Sequence, residues 1–160
     1  MILEKEITSI KFKMNEYVSE KSLMRVSTDK MNTFSENEKK LAQRIGKMKL
    51  LYEVENNLKP MTAYDEIEEK CQISTSTLKN TINGKIKPTR NFLYKFVVGL
   101  QLSLDLANEF FDLCDGKLQE DCKADFITIK ALEDKDDIYR FIEDFQKYTK
   151  LKIELRNRES

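Results

Sequence analysis

Apolar residues in this chain recur at every third or fourth position, and few residues that break a helix interrupt them. Only 4 glycines and 2 prolines occur among 160 residues, which argues against a turn-rich β fold. Apolar side chains at this spacing lie on one face of an α-helix. The sequence therefore predicts an all-α protein.

Composition narrows the class of protein. Apolar residues make up 40 % of the chain and charged residues 35 %, which is enough for a core and too charged for a membrane protein. No apolar run approaches the ~18 residues of a membrane-spanning helix, and the N-terminus has no apolar signal core. We therefore expect a cytoplasmic protein with no membrane partner.

Hydroxyl side chains mark the expected helix starts, because they can cap a first turn. Ser35 is followed three residues later by Glu38, which fits a capping box. The expected caps of the next four helices are Thr62, Ser74, Thr89 and Ser103. Pro60 is expected to end the first helix, because the residue before a proline avoids the helical region, and Gly84 is expected to end the helix that begins after Ser74. Two further helices are predicted near 123–133 and 136–149.

Residues 1–34 carry two overlapping patterns. A helical stripe is formed by Leu3, Ile7, Ile10, Met14 and Tyr17. From Ile10 to Met14, apolar residues also alternate with lysines, as they do in a strand. We favour a helix, and we regard the apolar stripes at 1–18 and 136–149 as candidate dimer contacts.

Residues 64–83 have the pattern of two short helices joined by a tight turn. The positions that such a unit buries hold Ile67, Cys71, Ile73, Leu78 and, more weakly, Thr81. The second helix is rich in Ser, Thr and Asn, and it is followed by Asn83-Gly84 and then by Lys-x-Lys-Pro. Although the net charge is 0, residues 74–99 carry five basic side chains and no acidic one. Such segregation of charge suggests a binding surface.

The stretch YDEIEEKCQISTSTLKNTINGKIKPT, residues 64–89, resembles the lambda-repressor-like (Xre-type) helix-turn-helix family. The matching positions are Ile67, Glu69-Lys70, Ile73-Ser74, Ser76-Thr77-Leu78, Asn83-Gly84-Lys85 and Pro88. The resemblance covers about residues 45–120. It implies a five-helix domain at 35–116, between an N-terminal segment at 1–34 and an acidic C-terminal helical extension at 117–160. It also implies a transcriptional regulator, such as those of phages and mobile elements, that binds double-stranded DNA as a dimer.

The expected DNA contacts follow from the chemistry of the helix at 75–83. In helix-turn-helix proteins the N-terminal residues of the second helix face base edges in the major groove. Side chains suited to base contacts, whether hydroxyl, amide or amine, are Thr75, Ser76, Lys79 and Asn80. The expected phosphate contacts are Thr62, Tyr64, Lys85, Lys87 and Arg90.

Catalysis and metal binding are not expected. The chain has no histidine, and its cysteines form no C-x-x-C pair, so the usual zinc sites are excluded. Acidic residues without a histidine or a Gly-rich loop do not form a catalytic site. We therefore expect a protein that is not an enzyme and needs no cofactor or metal. Cys71 and Cys114 are expected in the core, and Cys122 as an exposed thiol.

A second hypothesis assigns the function to protein–protein contacts. Residues 100–145 carry 13 acidic and 5 basic side chains, so this acidic region resembles DNA in charge. Glu68 stands where the family often has a small residue, and Gln72 stands where the turn usually has Gly. In this hypothesis the helix-turn-helix is a scaffold, and the protein is an anti-repressor, an antitoxin or a phage-encoded inhibitor of host defence. RNA binding is a third and weaker interpretation, because the aromatic platforms expected for single strands are missing.

Overall fold

The computed structural model describes residues 34–153, and within them the protein consists of seven α-helices without a strand. The helices are α1 (Glu36–Glu55), α2 (Pro60–Cys71), α3 (Thr75–Ile82), α4 (Arg90–Gly99), α5 (Leu104–Cys114), α6 (Lys123–Asp134) and α7 (Ile138–Thr149). The predicted all-α class is confirmed. The predicted helix near the N-terminus lies outside the described residues. None of the seven helices has both the length and the apolar character needed to cross a membrane.

Most of the helix starts follow the predicted caps. The hydroxyl of Ser35 accepts a hydrogen bond from the Glu38 backbone N–H, and Glu38 reaches back to the Ser35 N–H, so the capping box is confirmed. The caps at Ser74, Thr89 and Ser103 are also confirmed, since each hydroxyl accepts a first-turn N–H of its helix. After α3, Gly84 adopts a φ of 77°, a left-handed conformation that glycine reaches at little cost.

The predicted boundary between α1 and α2 is wrong. Helix α1 ends at Glu55, and Pro60 is the first residue of α2, where its fixed φ and missing N–H are well tolerated. The N-terminal cap of α2 is therefore Lys59, and its side chain makes no capping hydrogen bond. Thr62 lies inside the first turn and does not cap the helix.

Helix α4 forms the centre of the molecule. It packs against α2, α5, α6 and α7, and most of its side chains are buried. At its C-terminal end the backbone approaches α2 closely. A Cβ atom on Gly99 would lie 2.5 Å from both the Cys71 sulfur and the Lys70 carbonyl oxygen. Only glycine fits this contact without a shift of the backbone.

The C-terminal helices share the same hydrophobic core. Phe141 and Phe145 of α7 lie with their ring centroids 6.4 and 5.7 Å from that of Tyr94 in α4. Ile138 and Ile142 are also buried. The apolar stripe at 136–149 therefore faces its own chain, which corrects its assignment as a candidate dimer contact.

Candidate nucleic-acid interface

Helices α2 and α3 are joined by residues 72–74, and the buried sides of the two helices meet. Ile67, Cys71, Leu78 and Thr81 are all fully buried. Ile73 in the turn is also buried, so every position that the sequence predicted to face inward does so. Gln72 ends α2 with a φ of 54°, a left-handed conformation that glycine adopts more easily. This arrangement fixes α3 on the surface of the domain.

The four predicted base-contacting residues lie together on the outer side of α3. Helical geometry places Thr75, Ser76, Lys79 and Asn80 on one face, opposite the buried Leu78. Ser76 is exposed, and the other three are half-buried. The Ser74 hydroxyl caps the helix by accepting the Thr77 N–H over 3.1 Å. The outer face therefore presents hydroxyl, amide and amine groups on a short, well-capped helix.

Tyr64 connects this face to α1. Its ring lies 4.0 Å from the Lys49 amine and 5.1 Å from the Lys79 amine, measured to the ring centroid. Cations over an aromatic ring are attracted by its electron-rich face. Lys49 is buried and also forms an ion pair with Glu53. Tyr64 is half-buried, and Thr62, two residues earlier on the same helix, is exposed.

The loop after α3 contributes two lysines, which differ in exposure and in their contacts with other residues. Lys85 is exposed, and its backbone N–H donates to the Asn80 carbonyl over 2.8 Å. The amine of Lys87 lies 3.7 Å from a carboxylate oxygen of Glu38 and 5.7 Å from the centroid of the Phe34 ring. The charge of Lys87 is therefore partly balanced by α1, whereas Lys85 extends into solvent.

Arg90 is not placed to contact a phosphate, which corrects the prediction from sequence. Its side chain is fully buried and forms two hydrogen bonds with Asp125 of α6, of 3.1 and 2.7 Å. It also pairs with Asp115 and donates to the Gly116 carbonyl over 2.8 Å. Burial by itself lowers the pKa of Arg90, but the hydrogen bond and charge of Asp125 outweigh it, so the pKa lies above its ordinary value. Arg90 stays charged and belongs to the core.

Tyr94 completes this buried network. Its hydroxyl donates to Asp125 over 2.6 Å, and the backbone N–H of Gln119 donates to the other carboxylate oxygen over 3.0 Å. Burial raises the pKa of Tyr94 well above 10.0, and the charge of Asp125 raises it further. The network ties the start of α4 to the α5–α6 loop and to α6.

Glu68 makes a contact with α3 that the sequence did not predict. Its carboxylate accepts a hydrogen bond from the Thr75 backbone N–H over 2.7 Å. A negative charge at this end of a helix is stabilised by the helix dipole. The signal in the sequence was the departure from a small residue at this position. The N-terminus of α3 therefore already holds an anionic group, next to Thr75 and Ser76.

The three cysteines are free thiols. Cys71 is buried as predicted, and burial raises its pKa to about 12. Cys122 is also fully buried, at the N-terminal cap position of α6, so the prediction of an exposed thiol is wrong. Among residues 34–153, no group of histidine, cysteine or acidic side chains is arranged to hold a metal ion.

The acidic side of the molecule centres on the junction of α6 and α7. Glu133, Asp134 and Asp137 are exposed there, and Asp136 is half-buried between them. Burial, followed by the charge of Asp134, raises the pKa of Asp136. The junction therefore exposes several carboxylates, together with the basic side chains of Lys135 and Arg140.

Comparison with protein-family models, with characterised proteins and with solved structures finds no match to this chain.

Proposed function

We propose that this protein is a sequence-specific double-stranded DNA-binding regulator of transcription, and that α3 enters the major groove. In this proposal, α1 to α5 form a lambda-repressor-like domain. The observation that carries it is the two-sided character of α3. Leu78 and Thr81 are buried, while Thr75, Ser76, Lys79 and Asn80 share the outer face. Helix-turn-helix proteins place such a face against base edges.

Each outer residue has a distinct expected contact. The Asn80 amide can donate to and accept from one adenine, and the hydroxyls of Thr75 and Ser76 pair with donors or acceptors on several bases. Lys79 reaches either a base or a phosphate. The exposed groups at the rim, Lys85 and Thr62, together with Lys87 and Tyr64, are the proposed phosphate contacts. Arg90 is excluded from this set by its burial.

The experiment is selection of binding sites from a random pool of double-stranded DNA, followed by affinity measurements on the selected sites. The double variant Ser76→Ala with Asn80→Ala is expected to lose about tenfold or more in affinity, because a good base contact contributes roughly 1–3 kcal/mol. The matched control is Gln43→Ala on the exposed side of α1, which should bind as the unmodified protein does. Absence of any enriched sequence, or unchanged affinity of the double variant, contradicts the proposal.

A second candidate function is a protein–protein contact made by the acidic patch. Two observations favour it: Glu68 holds an anionic group at the N-terminus of α3, and the exposed carboxylates of Glu133, Asp134 and Asp137 form an acidic surface. This candidate would make the chain an anti-repressor, an antitoxin or an inhibitor of host defence. Co-purification from the native host distinguishes the two. Recovery of a basic protein partner that the variant Glu133→Lys with Asp134→Lys no longer binds supports it, whereas recovery of one DNA sequence alone contradicts it.

A further inference from the structure

The second half of α1 exposes a row of large apolar side chains. Leu50 is 58 % exposed, Leu51 46 % and Val54 77 %, and these three constitute the α1 apolar face. The opposite face of this part of α1 packs against the rest of the protein. There Lys49 is buried, and the Tyr52 hydroxyl donates a hydrogen bond to Glu66 over 2.8 Å. Neighbouring apolar side chains that remain accessible mark surfaces that contact another molecule.

Two opposite charges flank the α1 apolar face. Lys47 and Glu55 are both exposed and lie on the same side of the helix as Leu51. Each is four residues from Leu51, which corresponds to about 6 Å along the helix axis. Neither forms an ion pair with another residue of the described range, 34–153.

We infer that the α1 apolar face binds a second copy of this chain, with the two α1 helices antiparallel and the two-fold axis near Leu51. A two-fold interface must be complementary to itself. Rotation about Leu51 places Lys47 of one protomer beside the partner's Glu55, and Glu55 beside the partner's Lys47. The three apolar side chains then cover one another between the two ion pairs. This order of charge, apolar residues and opposite charge fits a copy of itself better than an unrelated partner.

The first test measures the oligomeric state of the full chain without DNA, by sedimentation equilibrium over about 1–100 µM. It is therefore independent of the proposed DNA binding. A dimer is expected, and Val54→Glu should raise its dissociation constant at least about tenfold, because a carboxylate would be buried at the contact. Lys117→Gln, an equal change of charge at an exposed position of the α5–α6 loop, is the matched control and should leave the dimer intact. Thermal unfolding of both variants at low concentration checks that each still folds.

The second test exchanges the flanking charges. Lys47→Glu and Glu55→Lys should each weaken the dimer, since each places like charges opposite one another. The double variant Lys47→Glu with Glu55→Lys should restore it, because both pairs are re-formed with their signs reversed. Three outcomes overturn the inference: a monomer at all concentrations, a dimer unaffected by Val54→Glu, or a double variant no stronger than the single ones. A monomer at all concentrations is also the result expected if another part of the chain or another protein occupies this face.

Discussion

The side-chain amide nitrogen of Gln72 donates a hydrogen bond to the hydroxyl of Tyr139 over 3.0 Å. Gln72 lies in the turn between α2 and α3, whereas Tyr139 belongs to the first turn of α7. The same amide also donates to the Glu69 carbonyl over 3.0 Å, and the Tyr139 hydroxyl donates to the Glu69 carboxylate over 3.1 Å. The C-terminal helices therefore hold the turn that sets the orientation of α3.

Removal of the Tyr139 hydroxyl should destabilise the protein. We expect Tyr139→Phe to lower the free energy of unfolding by about 1 kcal/mol, the net contribution of one hydrogen bond, as measured by urea denaturation. Tyr148→Phe is the matched control, because the Tyr148 hydroxyl is buried without a partner among the described residues. Its removal should be neutral or stabilising. Equal effects of the two changes would contradict the importance of the Gln72 contact.

Neutralising only one partner of the buried pair of Arg90 and Asp125 should strongly destabilise the protein. We expect Asp125→Asn to lower the free energy of unfolding by about 3–5 kcal/mol, because the buried guanidinium then keeps only the more exposed Asp115 as a counter-charge. The control is Glu133→Gln, which removes the partner of Lys130 in a more exposed pair of 3.1 Å. That change should cost less than about 1 kcal/mol. Chemical denaturation of both variants measures the difference, and similar losses would show that the buried pair is not essential.

Gly99 should tolerate no side chain. We expect Gly99→Ala to destabilise by about 1–3 kcal/mol, as overpacking does, because its Cβ would meet the backbone of Lys70 and Cys71 at 2.5–2.6 Å. Gly46→Ala is the comparison. Its Cβ would lie 3.2 Å from a side-chain methyl of Ile82, and alanine favours the helix by roughly 1 kcal/mol over glycine. Thermal unfolding should therefore show a much larger loss for Gly99→Ala, and the reverse order would contradict the close approach of α4 and α2.

Neutralisation of Glu68 should have opposite effects on stability and on DNA binding. Glu68→Gln keeps a hydrogen-bond acceptor for Thr75 but removes the charge that favours the helix dipole, so stability should fall by about 0.3–1 kcal/mol. If the proposed function holds, affinity for the selected DNA should rise, because a carboxylate no longer faces the phosphates. Glu120→Gln, an exposed change in the α5–α6 loop, controls for the loss of one negative charge. Weaker DNA binding by Glu68→Gln would argue against α3 as the groove-binding helix.

The raised pKa of Asp136 predicts how stability depends on pH. Burial and the charge of Asp134 raise this pKa above 3.8, so the group favours folding when protonated, and that contribution is lost as the pH rises through its folded-state pKa. Asp136→Asn should therefore be more stable than the unmodified protein at pH 7, by less than about 1 kcal/mol because solvent screens the charges. This difference in stability should vanish below pH 3.8, where Asp136 is protonated and therefore as neutral as the asparagine that replaces it. A gain that persists in acid would refute this explanation.

Local signals in the sequence predicted most of the helix starts, and the errors arise from the two roles of proline at helix ends and from pairings between distant residues. The caps at Ser35, Ser74, Thr89 and Ser103 act within three residues of the side chain, so the sequence contains both partners close together. Pro60 was assigned to the wrong end of a helix, because proline ends one helix and begins another with similar ease.

The candidate site was only partly predictable for the same reason. The two-sided character of α3 follows from helical periodicity around the buried Leu78, whereas the contacts assigned to its four polar residues stay a prediction. Arg90 was assigned to the basic surface because the sequence does not show whether a charged side chain points into the core or into solvent. Its partner Asp125 lies 35 residues further along the chain. Glu68 likewise reaches the N-terminus of α3 through a contact that spacing alone does not reveal.

The separation of Arg90 and Asp125 also affects how the chain acquires its structure during synthesis. The carboxylate is made 35 residues after the guanidinium, a delay of about 2–7 s at roughly 5–20 residues per second. Asp115, the other carboxylate that pairs with Arg90, is made 25 residues after it, so both counter-charges of Arg90 are present only when Asp125 has been made. The packing of α4 is therefore completed only when α6 has been made, so the nascent chain reaches its native core late in translation.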